Sequence, residues 1–454
     1  MKSLPRHWRV MAGVMFALLT TVVGALAWQS RTGRSIVNRG SASADTLSTA
    51  SPDTSASAVL DADIAFYEER AATDPTSAGD HAKLALLFLE RVRVSGDQGD
   101  AERAEQAARR SLAARTRHND GAVALLASSL LEQHRFAEGN EVARHLVARD
   151  SSVVAHRALL AETELELGNY DASGELFRSL KPYWRELAVA PRVARWMEIR
   201  GQIDVAQSML DGARKNAIAN SYLPRSQVAW FHFRLGDFEM RYGRHRQART
   251  ALEAGLGFAP DDYRLLATMA SLEAAEQRWG SAIGYATRSI ALFPDPAVLG
   301  LLSDAYLAQG DTGKSSEFAR AVAVLSLQQP GPIHRSWSLF WLDREEHVED
   351  VLARALEEIK VRRDIYGYDV LAWALHKAGR HTEAKVAISR ALALGTRDPS
   401  ILFHAALISR ALGDTQAAGE QLERVLDINP RFHPRHASVA RAVLDSVKHS
   451  PGTS

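Results

Sequence analysis

The chain has 454 residues and a formal net charge of +1, with 46% hydrophobic and 24% charged residues. This near-neutral balance offers no basic surface of the kind that nucleic-acid binding needs, so nucleic acid is not an expected partner. Cysteine is absent, which excludes disulfides, thiolate metal ligands and thiol nucleophiles.

The N-terminus begins with a short basic segment that is followed by an apolar one. Three Lys or Arg within residues 2–9 precede residues 10–30, VMAGVMFALLTTVVGALAWQS, which contain no charged side chain. An apolar stretch of about twenty residues can cross a bilayer as a helix. Residues 25–27, Ala-Leu-Ala, also fit a signal-peptidase site, although the apolar run is longer than the ~7–15 residues usual in a signal peptide. Residues 1–30 are therefore predicted to be a membrane anchor or a cleaved signal peptide.

Either alternative predicts an exported chain. An uncleaved anchor would leave the protein on the membrane, facing the extracytoplasmic side, and cleavage would release it as a periplasmic or secreted protein. Residues 31–60 are predicted to be a disordered linker, since they include the run SASADTLSTASPDTSASA. Small polar side chains offer too little apolar surface to offset the entropy lost on ordering.

Residues 61–432 show helical periodicity that is interrupted by regularly spaced turns. The central turn residues are His134, Gly168, Gly201, Gly243, Gln277, Gly310, Gly379 and Gly413, mostly 33 or 34 residues apart. A small residue stands seven positions before and five positions after each of them, as Ala161 and Ser173 do for Gly168. Small residues let two antiparallel helices approach closely, so each unit is predicted to be a helical hairpin. The 69-residue interval between Gly310 and Gly379 predicts one further, degenerate unit.

The unit resembles the tetratricopeptide repeat, which has about 34 residues, a Leu-Gly pair, a small residue in its second helix and a final Pro. The best copy combines Leu235-Gly236, Gly243, Ala248 and Pro260. The resemblance implies an all-α fold, a right-handed superhelical solenoid of about nine or ten stacked hairpins, with residues 433–454 as a capping helix and tail. The C-terminal units are similar to those of exported or membrane-anchored bacterial repeat proteins of unassigned function.

One enzyme motif occurs within the repeats. Residues 308–315, AQGDTGKS, match a relaxed phosphate-loop pattern that ends in Gly313-Lys314-Ser315. A phosphate loop follows a buried strand and opens a helix, whereas a predicted helix precedes this segment. A nucleotide-binding regulatory or enzymatic subunit that uses this loop is the alternative function.

No other pattern indicates catalysis, a cofactor or a metal. Among sixteen histidines, only His433 and His436 have the spacing of three that places two ligands on one helix face. No carboxylate lies between Asp427 and Asp445, so no local ligand set accompanies the two histidines. The sequence therefore predicts a protein with no catalytic residues, no cofactor and no metal site.

Binding of a protein or peptide is the predicted activity. In the family that the chain resembles, the concave face is lined by the first helices of the hairpins and usually binds an extended peptide or a helix. The predicted binding residues, at outward positions of first helices, are Trp230, Phe233, Asp237, Arg241, Tyr366, Asp369, Trp373, His376, Lys377, Phe403 and Arg410. Aromatic residues and arginine dominate the energetics of interfaces, but aromatic residues at helical spacing also pack between repeats, so both interpretations remain open.

The predicted function is that of a non-catalytic scaffold or adaptor in an envelope-associated complex. It contacts the membrane through its N-terminal segment and its protein partners through the solenoid. Handling of a polysaccharide or a lipid-linked substrate by the same groove is a further alternative.

Overall fold

The computed structural model describes residues 56–328 and 335–449, and within these ranges the fold is an all-α repeat solenoid. In chain order the helices are α1 Ala56–Thr73, α2 Ala78–Ser95, α3 Gln98–Ala114, α4 Asp120–Glu132, α5 Phe136–Arg149, α6 Val154–Glu166, α7 Tyr170–Ser179, α8 Ala190–Ile199, α9 Ile203–Ala219, α10 Arg225–Arg241, α11 His245–Phe258, α12 Tyr263–Ala275, α13 Trp279–Ile290, α14 Pro296–Ala308, α15 Thr312–Gln328, α16 Arg335–Leu342, α17 Val348–Glu358, α18 Ile365–Lys377, α19 His381–Leu392, α20 Pro399–Ala411, α21 Thr415–Ile428 and α22 His436–His449.

The predicted domain boundaries fall partly inside the described ranges. The predicted membrane segment, residues 31–55 of the predicted linker and residues 450–454 of the predicted tail lie outside them. Helix α1 begins at Ala56, so the last five residues of the predicted linker are helical and the folded region starts earlier than predicted. Helix α22 follows the last hairpin where a capping helix is predicted. No helix in the part of the chain that the structure describes is both long and apolar enough to span a bilayer.

Within residues 56–328 and 335–449, ten hairpins make up the solenoid, from hairpin 1 (α2 and α3) to hairpin 10 (α20 and α21). All eight predicted turn residues have positive φ angles, between 57° and 84°, which end the first helix of each hairpin in the left-handed conformation. Gly96 and Glu345 have the same conformation, with φ of 76° and 59°, and close hairpins 1 and 8. Glu345 therefore marks the degenerate unit between Gly310 and Gly379.

The predicted small residues lie where the two helices of a hairpin cross. All sixteen of them are buried, from Ala127 and Gly139 in hairpin 2 to Ala406 and Ala418 in hairpin 10. A larger side chain at these positions would push the paired helices apart, so the small residues set the close packing of each hairpin. The apolar core then runs continuously from Ala158 to Leu444, because each hairpin covers a face of its neighbour.

The solenoid winds far enough for hairpins distant in sequence to touch, along a contact line that we call the seam. The central turns of hairpins 1, 3, 4 and 5 lie against the chain segments that follow hairpins 6, 8, 9 and 10, an offset of five units each time. A Cβ atom added at Gly168 would lie 2.3 Å from the carbonyl oxygen of Arg363, and one at Gly201 would lie 2.4 Å from that of Gly395. Gly243 and Gly96 make equivalent close contacts with Ile428 and Phe293.

Hydrogen bonds also cross the seam. The backbone N–H of Arg363 donates to the carbonyl of Leu167 (3.2 Å), and that of Ile365 donates to the hydroxyl oxygen of Tyr170 (2.7 Å). The side-chain amide of Asn429 donates to the carbonyl oxygens of residues 240 and 241, at 3.0 and 3.1 Å. A second turn of the solenoid thus forms part of the wall around the concave face.

Candidate functional site

The concave side of hairpins 1–6 encloses a cavity of about 870 Å³, the central cavity. It is lined mainly by the first helices α2, α4, α6, α8, α10 and α12. The first residues of α3 and α5, Gln98 and Phe136, and Arg362 from the other side of the seam also contribute. Aromatic side chains on its wall are Phe136, Trp230, Phe231, Phe233 and Tyr263. A cavity of this size, with aromatic walls and a few polar groups, has the character of a ligand-binding site.

Most charged groups on the cavity wall are paired with each other. The Arg192 guanidinium contacts the Glu162 carboxylate at 2.7 Å, and Arg195 contacts Glu166 at 3.0 Å. Arg264 pairs with its neighbour Asp262 at 2.7 Å and lies over the ring of Phe233, 5.6 Å from the ring centroid. These pairs fix the side chains of the wall in place.

Four charged residues on the wall lack such a partner in the described parts of the chain: Glu90, Arg93, Glu132 and Arg234. In the described parts of the chain, no carboxylate lies within ion-pairing distance of Arg234, and no basic group does so for Glu132. Burial lowers the pKa of the Arg234 guanidinium, and the more distant carboxylates of Asp237 and Glu198 do not compensate. Burial likewise raises the pKa of the Glu132 carboxyl. Among these unpaired groups, Arg234 is the cation and Glu132 the acid whose pKa burial shifts, so both are available to a ligand.

Four predicted binding residues lie on helix α10, beside the central cavity. Trp230 and Phe233 line it, as an outward position on a first helix predicts. Arg241 is already engaged, since it contacts Glu198 at 2.5 Å and Asp237 at 2.7 Å. Arg241 and Asp237 thus hold α8 and α10 together.

Three predicted binding residues are in the core and not on an accessible face, which corrects their placement. Asp369, Trp373 and Phe403 are 0%, 2% and 1% exposed. Trp373 stacks on the imidazole of His404 with ring centroids 4.2 Å apart, and Phe403 stacks on His436 at 4.8 Å. The first helices of hairpins 8–10 and helix α22 converge here, so side chains that would face a groove in an open solenoid face each other.

The remaining predicted residues differ in accessibility. The Tyr366 ring lies between the guanidinium groups of Arg195 and Arg335, at 5.5 and 5.1 Å, and burial raises its pKa to about 12. Arg410 is exposed. Tyr366 therefore packs at the seam, while Arg410 is free to meet a partner.

His376 and Lys377 lie half-buried at the end of α18. The imidazole of His376 stacks on Trp373 (5.0 Å), and burial lowers the pKa of His376 to about 4, so it is neutral near pH 7. The Lys377 ammonium contacts the Glu345 carboxylate at 2.9 Å. Lys377 therefore stabilises the contact between hairpins 8 and 9, while His376 packs within hairpin 9, and the role of both in binding stays a prediction.

A second polar region, the C-terminal polar cluster, consists of Arg335, Asp343, Asp369, His404 and His436. The Asp369 carboxylate lies 2.8 Å from the Arg335 guanidinium and 2.7 Å from Nδ1 of His404. The Asp343 carboxylate lies 3.3 Å from Nε2 of His436. Burial and the neighbouring His404 lower the pKa of His436 to about 3, so its imidazole is neutral near pH 7.

This cluster could not be predicted from histidines and carboxylates that are close together in sequence. The carboxylate that contacts His436 belongs to Asp343, which precedes it by 93 residues. The only available signal was that Asp369 and His404 occupy outward positions on successive first helices. That signal does not specify which side chains meet.

The segment that matches a phosphate loop is an ordinary hairpin turn. Helix α14 ends at Ala308, Gly310 has φ of 84°, and α15 begins at Thr312, so a helix and not a strand precedes the segment. The Ser315 hydroxyl lies 3.3 Å from that of Ser303 in the buried small-residue position. The Lys314 ammonium lies over the ring of Tyr306, 4.9 Å from its centroid. This geometry lacks the strand that precedes the phosphate cradle of a phosphate loop.

Two segments of the chain, residues 124–186 and 370–431, match the family described as tetratricopeptide repeat. They cover α4–α7 almost completely and α18–α21 in large part, and the hairpins between them repeat the same turn geometry. These matches support a tetratricopeptide repeat protein. No curated protein matches the chain.

Several solved structures resemble parts of the solenoid. Pseudomonas aeruginosa pilF is 16% identical over 46% of this chain and 93% of that chain, with a TM-score of 0.38. Human IFIT1, in a dimer structure with PPP-AAAA, is 14% identical over 81% of this chain and 94% of that chain, with a TM-score of 0.45. Yeast Tom70 is 10% identical over 81% and 96% of the respective chains, with a TM-score of 0.32.

Proposed function

We propose that this protein is a non-catalytic scaffold or adaptor that binds a segment of a partner protein in the central cavity. The observation that carries the proposal is the aromatic wall of the cavity together with the uncompensated Arg234. Tetratricopeptide repeats are in general binding units and not catalytic ones. The paired charges on the wall hold the aromatic side chains in position before a ligand arrives, which reduces the entropy lost on binding.

The chemistry of the wall indicates an acidic, extended segment of the partner. Because the seam narrows access to the concave face, a peptide strand or a tail fits the cavity better than a folded domain does. Arg234 has no counter-ion of its own, so a carboxylate of the partner would form a charge-assisted pair with it in a water-poor site. Trp230 and Phe233 would then contact apolar side chains on either side of that carboxylate.

The partner and the contact site can be tested together in native membranes. A photo-crosslinking amino acid at Gln227, on the cavity wall, is expected to capture the partner. The same amino acid at Gln106, which is exposed on the outer helix α3, is expected not to capture it. Equal capture from both positions would contradict binding in the cavity.

Substitutions in the cavity should weaken binding of the captured segment. Arg234→Ala and Trp230→Ala are each expected to reduce affinity by about 30-fold, the effect of losing an interface residue worth roughly 2 kcal/mol. Arg110→Ala, an exposed arginine on the outer helix α3, is the matched control and should bind as the wild type does. Titration of a labelled peptide, followed by fluorescence anisotropy, measures the three affinities. Unchanged affinity in both cavity variants would contradict the proposal.

We further propose that the protein works on the extracytoplasmic side of a membrane, within an envelope-associated complex. The uncharged residues 10–30 behind a basic start support this location. The chain recovered from its native membrane is expected to retain these residues, as its intact mass would show. A mature chain that begins at Trp28 would refute the anchor in favour of a cleaved signal peptide.

A further inference from the structure

The C-terminal polar cluster brings together three groups that are common ligands of transition metals. Asp343 directly follows α16, His404 lies in α20, and His436 is the first residue of α22. One ligand atom from each of the three side chains can be chosen so that all lie within 4.8 Å of one another. We propose that Asp343, His404 and His436 bind a divalent transition-metal ion such as Zn²⁺.

The donor set suits such an ion. Two imidazole nitrogens and one carboxylate oxygen form the three-ligand set of many zinc sites, with a water completing the coordination. Zinc–ligand bonds of about 2.0–2.2 Å place tetrahedral ligand atoms roughly 3.4 Å apart. The Asp343 oxygen and Nε2 of His436 are already 3.3 Å apart. Binding therefore requires His404 to approach this pair by roughly an ångström.

Neighbouring side chains orient two of the ligands. Nδ1 of His404 is engaged by the Asp369 carboxylate at 2.7 Å, so Nε2 is the ring nitrogen left for a metal. Asp369 is itself held by Arg335 at 2.8 Å. The indole N–H of Trp373 donates to Oδ1 of Asp343 (2.9 Å), which leaves Oδ2 available. A carboxylate behind a histidine ligand is the usual way in which proteins fix the tautomer and direction of that histidine.

The local charges also favour a bound cation. Arg344 and Arg435 both contact Asp304, at 2.6 and 3.4 Å, and are therefore occupied. Within the described residues, no lysine or arginine nitrogen lies within ion-pairing distance of Asp343. The Asp343 side chain is only 8% exposed, and within the described residues the basic side chain that contacts its carboxylate is the imidazole of His436, itself a proposed ligand. A divalent ion would supply the missing positive charge.

A metal at this position would act as a clamp at the end of the solenoid. It would cross-link α22 to hairpins 8 and 10. The His436 side chain is 13% exposed, so solvent and metal can reach the site from its edge. The site is separate from the central cavity, and the proposal does not depend on the identity of the protein partner.

Zinc binding by the full-length chain tests the proposal. Protein that has been stripped with a chelator is expected to bind one zinc ion per chain in calorimetric titration and to gain several degrees in Tm. Cobalt should give the visible absorption of a low-coordinate site with nitrogen and oxygen ligands. Asp343→Asn and His436→Gln are each expected to weaken zinc binding by at least about 100-fold, since loss of an outer-shell partner alone costs about 10–100-fold. His381→Gln, at a half-buried histidine outside the ligand set, should bind zinc as the wild type does.

Two results would overturn the proposal. One is a folded, chelator-treated wild type that takes up less than one zinc ion per chain. The other is unchanged zinc affinity in both ligand variants, because the zinc would then be bound by other histidines. If a variant loses helical circular dichroism in the absence of metal, its zinc affinity is not interpretable, and the proposal is tested on the wild type alone. In the wild type, bound zinc is then expected to slow amide hydrogen exchange in α16 and α22. Exchange rates that zinc leaves unchanged in these helices would contradict the proposal.

Discussion

Gly168→Ala is expected to destabilise the solenoid far more than Gly413→Ala, although both glycines occupy the central turn of a hairpin, with φ of 79° and 80°. At either position alanine costs roughly 1–2 kcal/mol for adopting the left-handed conformation. A Cβ at Gly413 meets no atom within 4 Å, whereas one at Gly168 lies 2.3 Å from the backbone oxygen of Arg363. Because backbone cannot rotate away as a side chain can, the seam has to open there, at an additional cost of about 1–3 kcal/mol.

Chemical denaturation of the two variants measures this difference, and amide hydrogen exchange locates it. In Gly168→Ala, the amides of Arg363 and Ile365 should exchange faster, since they donate to Leu167 and Tyr170 across the seam. In Gly413→Ala, the same two amides should keep their protection. Equal free energies of unfolding for both variants would show that the seam contributes nothing to stability.

The seam also changes how the repeats stabilise one another. In an open repeat array, each unit contacts only its neighbours, and stability is a sum of local terms. Here Asn429, which follows hairpin 10, donates to carbonyl groups at the end of α10 in hairpin 5. Hairpins that are five units apart in sequence are thereby coupled, and the concave face is held in a closed form.

The hairpins could be predicted from the sequence because their signals are local. A central turn residue and two small residues at fixed distances identify eight of the ten described hairpins, whatever their neighbours are. The seam could not be predicted, because it depends on how far the solenoid rotates over five successive hairpins. The rotation from one hairpin to the next is small and cannot be read from the local sequence. In the sequence Gly168 and Gly413 are equivalent, and only the winding of the solenoid places one of them against another backbone.

The candidate site shows the same limit. Trp230 and Phe233 were placed on the concave face by their helix positions, and they line the central cavity. The same reasoning failed for Trp373 and Phe403, because helix α22 and neighbouring first helices cover that part of the face. Arg234 could not be predicted, because its burial on the cavity wall without a carboxylate partner depends on contacts between hairpins.

Asp369→Ala is the second substitution with a large expected effect on stability. It tests whether the first helices of hairpins 8–10 pack against each other around a buried polar cluster. Asp369 is fully buried and accepts hydrogen bonds from Arg335 and His404, which come from hairpins 8 and 10. Removing one partner of a buried ionic network leaves the others unpaired and typically costs about 3–5 kcal/mol. His404 is only 2% exposed and would lose its acceptor, whereas Arg335 is 31% exposed and can be hydrated. The expected loss is therefore near the lower end, about 3 kcal/mol.

Chemical denaturation in the presence of a chelator measures this loss without any contribution from a bound metal. Glu357→Ala provides the control, because Glu357 pairs with Lys360 at 2.7 Å on the surface, with side chains 74% and 64% exposed. That pair should contribute less than about 1 kcal/mol, as exposed ion pairs generally do. A double-mutant cycle of Asp369→Ala with Arg335→Ala isolates the coupling between these two residues. If Asp369→Ala lowers the free energy of unfolding no more than Glu357→Ala does, water must reach the C-terminal polar cluster. Hairpins 8–10 would then present an open concave surface, and their first helices would not pack against each other.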